Sequence, residues 1–153
     1  MMDPSVTAFW NQFRSEFPDA PAQPVASFYF CDNREDADIC LQLVLDGQKR
    51  ATAASVKELE LCGDPIPQVG DLSIVTDFDG VPRAVIRTTS VELKRFGDVD
   101  ENFARAEGEG DLTLEWWRDA HYAFFTRVLA GTKVKIDDDL LIACERFEVV
   151  MAD

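Results

Sequence analysis

The chain has 153 residues with 46% hydrophobic content, enough for one core and one domain. Fifteen Lys and Arg stand against 29 Asp and Glu, a net charge of −14. That balance excludes a protein that coats duplex DNA or RNA through a broad basic surface. It leaves room for a local cationic pocket taking a nucleoside-sized ligand or a single-stranded base.

In chain order, Asp3-Pro4 opens a helix carrying Val6, Phe9, Trp10, Phe13 and Phe17 at helical spacing. "PDAPAQP" ends it, and "VASFYF" is a short β-like run with poor alternation. Residues 1–25 are therefore read as an N-terminal helix and proline-rich connector, and 26–153 as the domain proper. Asn33 is placed to cap a second helix whose Ile39, Cys40, Leu43 and Val44 form one apolar stripe, with Gly47 as its left-handed stop. "GDPIP" is a turn. "DLSIVTD" and "RAVIRTTSVEL" read as strands joined through the hairpin signal Asp79-Gly80. Asp98 to Ala106 predicts a short helix broken by "EGEGD". Asp111 or Thr113 can cap a long helix to about Leu129, and "LLIACERFEVV" is a last strand. The order predicts an α+β fold with mainly antiparallel strands, able to close into a small barrel.

No apolar run approaches the roughly 20 residues of a membrane span. The N-terminal stretch lacks the pattern of a secretory signal, so a reducing cytoplasm is the expected compartment. The four cysteines, Cys31, Cys40, Cys62 and Cys144, show no C-x-x-C spacing, and there is a single His. Spacing thus points to neither a zinc site nor a disulfide framework.

Two stretches carry candidate chemistry. In "DGQKRATAA", Lys49 and Arg50 follow a helix end, Arg50 is a candidate ligand contact, and Thr52 lies three residues after Lys49. Spacing alone reads Lys49 as a helix-terminal charge and Thr52 as a strand residue. The functional reading requires a desolvated Lys49 with a lowered pKa and Thr52 as a nearby nucleophile. In "EGEGD", Glu107 and Glu109 lie two apart, on one side if extended, with glycines that admit a ligand closely. The alternative is a flexible acidic loop. The helix "LTLEWWRDAHYAFFTRVL" could line a cleft with Trp116, Trp117, Arg118 and His121, an indole stacking on a base and Arg118 binding phosphate. Equally, His121 could be a core histidine with a structural hydrogen bond. Arg87, Lys94 and Arg95 read as solvated.

The pieces "LVLDGQKRATAA", "VGDLSIVTDFDGVPRAVIRTTSVEL", "FARAEGEGDLTLEWWRDAHYAFF" and "LLIACERFEVV" together resemble the ASCH domain family, in its longer form with the E-G-E-G-D and W-x-x-x-H elements. The resemblance covers about Phe28 to Val150. It implies a PUA-like small mixed or antiparallel β-barrel with surrounding helices and a cleft for single-stranded RNA or a nucleoside-like ligand. One branch of the family implies an amidohydrolase of N4-acetylcytidine using Lys49, Thr52 and either Glu107 or Glu109. This chain is longer than that branch and has "AASVKELE" after Thr52 where that branch has a basic residue. A second branch, to which the longer form with the W-x-x-x-H helix is closer, implies a metal-assisted ribonuclease. On that reading Lys49 and Arg118 would hold phosphate, a glutamate or His121 would be the base, and carboxylates would hold magnesium or manganese if a metal is used. A binding module without turnover is the competing reading. A third is a regulatory protein, or a homodimer, using Phe9 and Trp10 exposed on the first helix.

Overall fold

The computed structural model describes residues 2–153. The first helix, α1 (Pro4–Glu16), starts where Asp3 accepts a hydrogen bond from the Ser5 amide and Pro4 occupies the first turn. It is followed by a two-residue strand β1 (Ser27–Phe28) and by α2 (Arg34–Leu45), which Asn33 caps through the Asp36 amide. Strand β2 (Ala51–Ser55) runs straight into a short helix α3 (Val56–Cys62), with Ser55 as its cap. That helix is absent from the sequence-based expectation: it has no apolar stripe, and its Leu59 and Leu61 lie among acidic residues. Strands β3 (Leu72–Thr76) and β4 (Pro82–Arg95) form the hairpin signalled by Asp79-Gly80. A single 3₁₀ turn, Phe96–Asp98, leads to α4 (Glu101–Glu107) and α5 (Leu114–Val128), and β5 (Leu141–Ala152) closes the chain.

The five strands form one mixed sheet in the order β1-β3-β4-β5-β2. Only β1 and β3 are parallel. With the helices packed around it, this is the α+β arrangement expected of a PUA-like fold. The long β4–β5 pair forms the spine. Register shifts at Val85/Ile86 and Thr88/Ser90 mark bulges, which bend and twist such a ribbon.

Alternation along β3 and β4 separates two cores. Ile74 and Val85 point to α1, against Val6, Trp10 and Phe13. Their neighbours Val75, Ala84 and Ile86 point the other way, to Cys40, Leu41 and Val44 of α2 and to Phe30 and Phe147. A third core lies between α4, α5 and β5, around Phe103, Trp117, Phe125 and Ile142. The apolar stripe of α2 differs from the expected one. Ala37, Cys40, Leu41 and Val44 are buried, whereas Ile39 is 52% exposed.

The N-terminal helix covers the sheet of its own chain. Trp10 is 1% exposed and donates its indole N–H to the carbonyls of Pro21 and Ala22, and Phe13 is fully buried. The exposed Phe9–Trp10 surface expected of a partner-binding helix is therefore not found. Truncating such a residue leaves a cavity as well as losing transfer energy. Phe13→Ala is expected to lower unfolding free energy by about 3–5 kcal/mol. Phe17→Ala, at a 40% exposed position, should cost far less. Denaturant titration of both variants checks the ranking.

Candidate functional site

The connection after α2 and the end of α4 are laced together by their backbones. Gln48 and Lys49 amides both donate to the Leu43 carbonyl, and Gly47 turns the chain at φ +81°. The Arg50 amide then donates to the Ala106 carbonyl, and the Gln48 side chain donates to the Gly108 carbonyl at 2.6 Å. Gly108 sits at φ +72°, and a Cβ there would lie 2.5 Å from the Gln48 carbonyl oxygen. Gly110, at φ +60°, has the Trp116 ring where its Cβ would be. These glycines thus admit protein, not a ligand: one lets two loops touch and the other seats an indole.

This lacing brings "DGQKRATAA" and "EGEGD" to one point. Lys49 Nζ donates to Glu107 Oε1 at 2.9 Å, to Glu109 Oε2 at 2.9 Å and to the Ala51 carbonyl at 2.8 Å. Its side chain is 1% exposed and its ammonium lies 5.2 Å from the centre of the Phe30 ring. The glutamates converge without an extended segment. Glu107 is the last residue of α4, Gly108 is its left-handed cap, and Glu109 follows in the turn.

Glu107 is a hub. Besides Lys49, it accepts hydrogen bonds at Oε2 from the Trp117 indole and from His121 Nε2, the latter at 2.9 Å. His121 Nδ1 lies 2.8 Å from the Trp117 carbonyl. Both ring nitrogens thus face pure acceptors, so full satisfaction needs both to carry hydrogen, the imidazolium form. Burial pulls the His121 pKa down, but the charge and hydrogen bond of Glu107 outweigh it and raise it above the ordinary histidine value. Burial pushes Glu107 up, and Lys49 and His121 hold it well below the usual carboxylate range. Burial pulls Lys49 down, and Glu107 and Glu109 carry it above the ordinary lysine range. The lowered lysine pKa required of a base is not found. The cluster pairs two cations with two carboxylates, and its charges cancel.

The cluster forms one wall of a cavity of about 260 Å³. Thr52, Glu109 and His121 line it, with Phe30, Trp116 and Phe124 as aromatic surface and Arg127 at its edge. Glu109 is the more open carboxylate, at 17% exposure against 2% for Glu107. Trp116 is 36% exposed. A larger groove of about 900 Å³ runs beside Trp10 and Phe28, but among the described residues Asp3 is its only charged lining residue.

Other expected ligand contacts fall elsewhere. Trp117 is buried at 1% exposure, and its indole is spent on Glu107. Arg118 donates to the Gly97 carbonyl, and Arg50 curls back onto the Gly47 carbonyl; neither lines this cavity. Helical spacing put Trp117 and Arg118 beside Trp116 without revealing which side of α5 would open. Phe30, Cys31, Cys40 and Arg127 also line the cavity and carry no local sequence signal for it. They come from other segments, and only the packing of α2 and α5 on the sheet unites them.

A divalent ion held by Glu107, Glu109 and His121 does not fit this arrangement. Their donor atoms are close enough, but the Lys49 ammonium already occupies the space between the carboxylates. His121 also has no free lone pair to offer.

The ASCH domain family matches residues 26–151 of the chain. Two solved structures share the whole fold. The crystal structure of an ASCH domain from Lactobacillus crispatus is 36% identical, with TM-score 0.88 over 97% of this chain and 96% of that one. A protein from Enterococcus faecalis is 34% identical, with TM-score 0.87 over 97% of this chain and 90% of that one. Among curated proteins none matches.

The charge cluster gives a signed pH dependence. His121 has a raised folded pKa, so its contribution is complete below the unfolded value of about 6.5 and is lost as pH rises through the folded one. The stability gap between wild type and His121→Gln should be widest in mild acid and shrink in alkali. Urea titrations between pH 5 and 9 check this, and a gap constant with pH would contradict it.

Proposed function

From the premise that the chain belongs to the ASCH domain family, we propose that its cavity binds a nucleoside-sized ligand, either free or as one base of single-stranded RNA. The observation that carries this is the pairing, in one cavity of about 260 Å³, of an exposed indole with a carboxylate held in place from behind. A planar base stacks on Trp116, and Phe30 and Phe124 supply further apolar surface. Glu109, an acceptor when ionised, takes a hydrogen bond from a base N–H or exocyclic amine. Lys49 fixes that carboxylate and offsets its charge. Arg127, paired with Asp32 at 3.0 Å, is the most exposed cation lining the cavity and takes a ribose phosphate. The net charge of −14 suits a small or single-stranded ligand over a duplex.

A second reading adds turnover of an amide such as that of N4-acetylcytidine, and the constrained lysine favours a specific form of it. An ammonium with three acceptors cannot take the Thr52 proton. Of the carboxylates lining the cavity, Glu107 is spent on Lys49, Trp117 and His121 and Asp36 is bound to Asn33 at the start of α2, so Glu109 takes the hydroxyl proton as the Thr52 oxygen bonds to the acetyl carbon. The C–N bond then breaks, the amine leaves with the proton from Glu109, and water hydrolyses the acetyl-threonine. Lys49 serves as counter-charge throughout. A ribonuclease using Arg118 on phosphate is less favoured, because that guanidinium is bound to Gly97.

Calorimetric titration with cytidine, N4-acetylcytidine and a short single-stranded RNA tests the binding reading. Trp116→Ala should weaken the bound ligand about tenfold or more, within the ~1–3 kcal/mol of a base–aromatic stack. Retention of full affinity would remove the indole from the site. For the amide reading, Glu109→Gln should abolish release of acetate from N4-acetylcytidine, and undiminished turnover in that variant would exclude Glu109 as the base.

A further inference from the structure

Beside the lysine cluster lies a group that neither reading uses. Cys31 Sγ is 3.5 Å from Cys40 Sγ, and Cys40 Sγ is 3.4 Å from Glu109 Oε1. All four cysteines are free, so this is a thiol pair and not a disulfide. One donor atom from each of Cys31, Cys40 and Glu109 falls within 4.8 Å of the others.

We propose that Cys31, Cys40 and Glu109 form a site for a thiophilic divalent cation, zinc by preference, with its fourth position open to the cavity. Bond lengths of about 2.3 Å for Zn–S and 2.0–2.2 Å for Zn–O give tetrahedral edges of about 3.8 Å between sulfurs and 3.5 Å between sulfur and oxygen. The observed 3.5 Å and 3.4 Å need only small adjustment to meet them. Two thiolates and a carboxylate around a dication leave one negative charge. Lys49, bound to the other oxygen of Glu109, lies where it offsets that charge and orients the ligand. The backbone is committed to the arrangement as well. Cys31 is at φ +67°, a left-handed conformation uncommon for a residue with a side chain. The Arg127–Asp32 pair ties the adjoining residue to α5. All three ligands line the cavity, so a water or a heteroatom of a bound molecule completes the tetrahedron there.

The site is built from residues 31, 40 and 109, with no C-x-x-C signature, which is why spacing pointed away from zinc. It is distinct from the Glu107–His121 arrangement, where the lysine stands in the way. Oε1 of Glu109 is given to the cation and Oε2 to Lys49, so the metal-loaded and metal-free forms differ in what Glu109 can do in the cavity.

The test is titration of the metal-free, reduced full chain with Co²⁺, followed by its displacement with Zn²⁺. One equivalent should produce thiolate-to-cobalt charge-transfer absorption with the ligand-field bands of a tetrahedral ion, and zinc should remove both. Cys31→Ser and Cys40→Ser should each eliminate that spectrum, while Cys62→Ser, at an exposed thiol outside the cluster, leaves it intact. Glu109→Gln should keep thiolate bands but bind at least about tenfold more weakly. Circular dichroism confirms that each variant is folded. No stoichiometric spectrum in the wild type, or a spectrum that survives Cys31→Ser or Cys40→Ser, overturns the proposal. These readouts are independent of nucleoside binding or hydrolysis.

Discussion

A lysine ammonium with 1% of its side chain exposed constrains everything around it. An unpaired charge at that depth would lose its proton or unfold its surroundings. Lys49 keeps its proton because two carboxylates and a carbonyl meet its three hydrogens. Glu107 in turn is tolerable because His121 and the Trp117 indole share it. α2, α4 and α5 therefore meet at one electrostatic point, and the helices around the sheet cannot shift independently. Of the two carboxylates on Lys49, the same point leaves Glu109 as the one still facing the cavity. In such a network the hub is a positioning device, and chemistry falls to the group at its edge.

Much of the local structure was legible. Caps at Asp3, Asn33 and Thr113, the Asp79-Gly80 hairpin and the left-handed Gly47 follow from short-range chemistry in which a side chain or turn acts on its own backbone. The convergence of Lys49 with Glu107 and Glu109 was also anticipated, as two oppositely charged motifs in one site. Its cause was not. Alternation suggested an extended "EGEGD"; the actual geometry is a helix end followed by a left-handed glycine. The glycines are explained by Gln48 and Trp116, partners that no local pattern identifies.

Charge states were the least legible. A lysine predicted to be buried suggests a depressed pKa, because desolvation acts on the residue alone. Whether that or the reverse holds depends on carboxylates nearly sixty residues away. Likewise, the i, i+1 neighbours Trp116 and Trp117 have opposite fates, one on the cavity wall and the other inside. Periodicity gives a helix its faces but not the identity of what each face meets. Arg118 was expected at the ligand for the same reason, and Arg50 from its place beside Lys49; both instead satisfy carbonyls of their own chain.

The chemistry of the site turns on the protonation of Lys49, since a lysine base and a lysine counter-charge imply different machinery from the same residues. Nuclear magnetic resonance titration of selectively labelled lysine side chains measures it directly, with Lys49→Arg to assign the signal. The arrangement predicts that Lys49 Nζ stays protonated to higher pH than the exposed lysines of the same chain. A Lys49 signal that titrates near neutrality would contradict it and return the role of base to the lysine.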